Sequence, residues 1–94
     1  MDRLPEASFD AAMTCFGIAD FVARTAGDFP REALAAGELA ERALAASSQE
    51  LTRRARTNDE AQVIAERYRA QAFLAGTPTS LLDQCAQRFP LRAG

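Results

Sequence analysis

Ninety-four residues suffice for one domain, spanning 1–94, with a small core. All 11 basic side chains are arginine, histidine and lysine are absent, and the net charge is −2. The usual neutral-pH general base, the commonest metal ligand, Schiff-base chemistry and the P-loop lysine are therefore missing, and a pI near 5.0 argues against nucleic acid as the main partner.

In chain order, the apolar period predicts a first helix over about 6–26, capped by Asp2 or Ser8. Phe9, Met13 and Phe16 with Ala12, Ala19 and Ala23 form one face, and Ala11, Cys15, Ile18 and Val22 form an adjacent stripe. A helix apolar on two stripes packs against more than one neighbour. Gly27 is expected to close it as a left-handed cap. In "GDFPRE", Pro30 suits the first turn of a second helix, with Phe29 as a hydrophobic staple to Leu34 or Ala33.

That second helix runs to about residue 56 (31–56), anchored by Leu34, Leu39, Leu44 and Leu51 and weakened by Gly37. Ser47-Ser48-Gln49-Glu50 has capping-box spacing, which predicts a kink, and Glu38–Arg42 and Glu50–Arg54 are spaced as helical ion pairs. Thr57-Asn58-Asp59-Glu60 repeats the capping-box form behind Arg53, Arg54 and Arg56. An unbroken helix over 38–75 would be ~57 Å long, too long for a compact domain of this length, so an antiparallel hairpin is expected in the middle.

A third helix over 59–75 carries Ala61, Val63, Ile64, Ala65, Tyr68, Ala72, Phe73 and Leu74. Gly76, Thr77 and Pro78 read as its stop and as the N-cap and first turn of a last helix over 78–89, whose apolar face holds Leu81, Leu82, Cys85, Ala86 and Phe89. The expected fold is all-α, a small bundle of about four helices.

Composition sets the margin: 21 alanines against 19 Leu, Ile, Val and Phe make an ordered but lightly built core. No run approaches the ~18 apolar residues of a membrane span. "MDRLPEAS" has no apolar signal-peptide core, and Met1 fits either a native start or one placed where a signal was removed.

Three readings of the cysteines stay open. Cys15 and Cys85, 70 residues apart in the terminal helices, are a disulfide, two reduced core residues, or, least favoured, a reactive thiol. Two sulfurs alone make no closed zinc site, and neither a metal nor a cofactor is expected. Asp59/Glu60 and Glu38/Glu41 lack a partner for acid–base work. Arg67 and Arg69, with Arg53, Arg54 and Arg56, could converge on the 57–59 turn, although they read mainly as helix-end charge.

"MTCFGIADFVA" (13–23), through Thr14, Cys15 and the apolar helix after them, resembles a stretch of the small periplasmic acid-stress chaperones. The second cysteine, in "LLDQCAQRF", lies much further away than in that family. The resemblance implies a periplasmic compartment and carries no activity.

The expected function is a non-enzymatic, exported protein that binds another protein or a second copy of itself, with Cys15–Cys85 clamping the first and last helices. Its partner surface is placed on Phe9, Met13, Phe16, Arg53, Arg54 and Arg56. The alternative is a cytosolic adaptor or regulator, dimerising through helices 31–75, with reduced core cysteines.

Overall fold

The computed structural model describes residues 3–75 and 79–90, without the side chains of 74, 75, 79 and 80. Four helices form an all-α bundle: α1 (Ser8–Thr25), α2 (Pro30–Arg54), α3 (Asn58–Ala75) and α4 (Thr79–Arg88). No strand occurs among the described residues. The largest extent is 37 Å and the radius of gyration 12.7 Å, so a ~57 Å helix over 38–75 does not fit.

α1 is the axis. Phe9 and every residue from Ala11 to Ala19 are buried, as a helix apolar all round requires. α2 runs antiparallel to it, with Ser47 meeting Met13 and Arg54 meeting Phe9. α3 runs in the same sense as α1: Tyr68 meets Phe9, and Phe73 meets Phe21. α2 and α3 are therefore antiparallel, as expected of a hairpin, but they flank α1 and touch each other little. Gly17 lets the α1 and α3 backbones close up: a Cβ there would lie 2.5 Å from the Tyr68 carbonyl oxygen.

The chain breaks follow local chemistry. Thr57 Oγ1 accepts the Glu60 N–H at 3.2 Å, and Glu60 Oε2 accepts the Arg56 N–H at 2.6 Å. This reciprocal cap starts α3 where the sequence predicts it. Pro30 opens α2. The first helix, however, is preceded by Ala7 with no side-chain cap, and Ser8 lies inside it. The proposed Asp2 cap and the Gly76, Thr77 and Pro78 assignments lie outside the described residues.

Gly27 is not a left-handed cap. α1 ends at Ala26, whose N–H bonds Val22 O, and Phe29 N–H bonds back to Ala26 O at 2.9 Å. That tight turn needs no positive φ, and Gly27 has none. Ser47 does not start a new helix: α2 runs unbroken from Pro30 to Arg54. The buried Ser47 hydroxyl bonds the Leu44 carbonyl at 2.9 Å and sits 3.2 Å from Met13 Sδ, so it is spent on its own helix rather than on starting a new one.

α4 lies antiparallel on α1. Leu81 packs with Ile18 and Ala72, Cys85 meets Cys15, and Arg88 reaches the Pro5 and Glu6 carbonyls. Arg42 does not pair with Glu38. Its Nε donates to Phe89 O at 2.8 Å, closing the end of α4 with a cation where the helix dipole favours one. On α4, Leu81 and Cys85 face inward, whereas Ala86 is exposed.

Candidate functional site: the cystine clamp and the exposed helix corner

Cys15 and Cys85 are joined, with Cα atoms 5.5 Å apart, inside the range a disulfide requires. Each sits mid-helix, on the faces of α1 and α4 that meet. Both are fully buried among Met13, Phe16 and Ala19. A thiol nucleophile at either position is not available in this form, because both sulfurs are bonded to each other.

The expected partner surface divides. Phe9, Met13 and Phe16 are 8%, 0% and 6% exposed. They form the chain's own core with Leu39, Ala40 and Ala43 of α2 and Ala65 of α3, so they offer no groove to a partner. The apolar stripe was legible, but the neighbour covering it is α2 of the same chain.

The arginines are exposed at the α2–α3 corner. Arg53 and Arg54 both pair with Glu50, at 3.2 and 3.1 Å. Arg54 also lays its guanidinium 4.2 Å from the centre of the Phe9 ring. Arg56 contributes its backbone N–H to the α3 cap. Arg69 does not join them. It bonds Asp20 at 3.1 Å and Glu66, and stands 5.2 Å over Phe16.

Tyr68 donates its hydroxyl to Asp10 Oδ1 at 3.0 Å. Burial, then the Asp10 carboxylate that accepts this proton, pushes the phenol above its ordinary value. The hydroxyl thus stays protonated at neutral pH and ties α3 to α1. Among the described residues no three His, Cys, Asp or Glu side chains gather as a metal site.

The surface that sequence reasoning missed lies at the α1–α2 corner. Phe29, expected to staple to Leu34 or Ala33, is 61% exposed, and Leu34 is 67% exposed. Leu34 lines an open groove of about 530 Å³ with Gly27, Pro30, Ala33 and Gly37, rimmed by Glu38 and Glu41. Val63 and Phe73 of α3 are also exposed. The signal was present: Leu34 points away from the stripe of Ala36, Leu39, Ala40 and Ala43 that α2 buries. Gly37 interrupts an otherwise favourable helix.

The chain was compared with family models, curated proteins and solved structures, and none matches.

Proposed function

We propose that this is a non-enzymatic helical protein, exported to an oxidising compartment such as the periplasm, that binds another protein. The observation that carries the reading is the buried Cys15–Cys85 pair, which links the first and last helices across 70 residues. Disulfides form and persist in exported proteins and are rare in reducing cytosol. No helix is long and apolar enough to cross a membrane among the described residues. Protein binding is supported by the large apolar side chains left on the surface at the α1–α2 corner and on α3.

Intact mass of the protein purified from its native host without reductant, with and without alkylation, tests the reading. A mass two hydrogens below the reduced chain, with no label taken up until reduction, is the expected result. Two freely labelled thiols would overturn it and favour the cytosolic adaptor that dimerises through residues 31–75.

A further inference from the structure

The groove at the α1–α2 corner has three features that its own fold does not use. The first is Gly37. Gly17 has an internal reason to lack a side chain, because the Tyr68 backbone presses on it. Gly37 has none: a Cβ there would meet nothing within 4 Å. A glycine inside a helix is unfavourable relative to alanine, and its remaining structural use is to let an outside backbone or side chain come close.

The second feature is apolar exposure. Leu34 lines the groove and is more than half open to solvent, as is Phe29, next in the chain to the lining Pro30. The third is charge. Elsewhere the acids are mostly engaged: Asp10 with Tyr68, Asp20 with Arg24 and Arg69, Glu50 with Arg53 and Arg54, Glu66 with Arg69. Around the groove, Asp28, Glu32, Glu38 and Glu41 enter no ion pair among the described residues. Arg31 is the one cation among these four acids along residues 28–41.

We propose that this groove docks a cationic amphipathic helix of a protein partner, its apolar stripe laid over Gly37 and Ala33 against Leu34 and its basic flank facing Glu38 and Glu41. This deepens the protein-binding reading and rests on it. A helix laid in a groove by apolar anchors is a common recognition mode, and the acidic rim selects the sign of the flank. The same rim repels an anionic lipid surface.

The test uses the oxidised full chain and two synthetic probes: an 18-residue amphipathic Leu/Lys helix and its Leu/Glu counterpart. The expected result is micromolar binding of the Leu/Lys peptide and at least tenfold weaker binding of the Leu/Glu peptide. Amide shifts should be confined to residues 26–41, with affinity falling as salt rises. Gly37→Leu puts a side chain into the groove from a position whose Cβ meets nothing within 4 Å, and should weaken binding at least tenfold, with a melting temperature no lower than the parent. The exposed double change Glu38→Arg/Glu41→Arg should reverse the preference between peptides.

Undiminished binding to a folded Gly37→Leu variant, or no preference between the peptides, would overturn the proposal. So would shifts centred on Phe73 and Val63, which would leave protein binding intact but move it to α3. Self-association abolished by Gly37→Leu would replace the partner helix with a second copy of this chain. The groove makes no contact with Cys85, so free thiols in the mass experiment would refute export without touching this result.

Discussion

Gly17→Ala and Gly37→Ala should change stability in opposite directions, although both remove a glycine from a helix interior. Alanine is favoured over glycine in a helix by about 1 kcal/mol. At Gly37 nothing lies within 4 Å of the new methyl, so that gain should appear almost whole, as ~0.5–1 kcal/mol. At Gly17 the methyl would sit 2.5 Å from the Tyr68 carbonyl oxygen and 2.8 Å from its carbon. Both are backbone atoms and cannot rotate away. To reach ordinary contact α1 and α3 must part by roughly 1 Å, a gap that forfeits a quarter to a half of each dispersion contact across it. Overpacking of this kind costs about 1–3 kcal/mol. The Tyr68–Asp10 and Arg69–Asp20 bonds, at 3.0 and 3.1 Å, stretch with it. Net of the helix gain, and with those two bonds weakened, Gly17→Ala should lose about 1–2 kcal/mol. A domain of this size shifts by about 4–8 °C per kcal/mol. Thermal unfolding followed by circular dichroism should then place Gly17→Ala ~4–16 °C below the parent and Gly37→Ala ~2–8 °C above it. A Gly17→Ala protein melting at or above the parent would refute the close approach of α1 and α3.

Reduction of Cys15–Cys85 removes a link across 70 residues, worth about 4 kcal/mol by loop entropy. Melting with and without reductant should differ by roughly 15–30 °C, and a difference of only a few degrees would mean the clamp restrains little. Tyr68 should titrate above pH 10.0 by ultraviolet absorbance, and Asp10→Asn should bring the midpoint down by removing the neighbouring anion. Because the folded-state value is the raised one, this contribution to stability is complete below pH 10.0 and fades as pH climbs through the folded midpoint. Thr57→Ala removes the hydroxyl that accepts the Glu60 N–H. It should cost ~1 kcal/mol and lower the melting temperature by about 4–8 °C. An unchanged melt would assign the break between α2 and α3 to packing rather than to the cap.

The starts of α2 and α3 were legible because each has local chemistry: Pro30 at a first turn, Thr57 and Glu60 in a cap. The misreadings of Ser47, Arg42 and the α1 face share one physical cause. A side chain in a sequence shows what it is able to do locally, not what a distant segment has already claimed. Ser47 has the spacing of a cap, yet Met13, 34 residues away, holds it in the core. Arg42 is spaced to pair with Glu38, yet the end of α4 takes it. Phe9, Met13 and Phe16 form a face that either a partner or the chain itself could cover, and helical periodicity is identical in the two cases. The second apolar stripe of Ala11, Cys15, Ile18 and Val22 pointed to more than one neighbour for α1, and the structure supplies those neighbours from the same chain.

The same composition accounts for the clamp. Alanines make up much of what α1 and α2 bury: Ala36, Ala40 and Ala43 on α2 and Ala11, Ala12 and Ala19 on α1, beside Phe9, Met13, Phe16 and Leu39. Each alanine buries about one methyl, where a leucine would bury several groups worth roughly 0.8 kcal/mol apiece. Small side chains let helices come close, but they leave little apolar area to oppose the conformational entropy of 94 residues. α4 is the element most exposed to that deficit. It has 10 residues, below the ~12–15 at which an isolated helix is even marginal, and its buried large side chain is Leu81. A bond from Cys85 to the most buried helix lowers the entropy of the unfolded chain and fixes α4 at its centre. In this chain, a covalent link does what a larger apolar face on α4 would otherwise have to do.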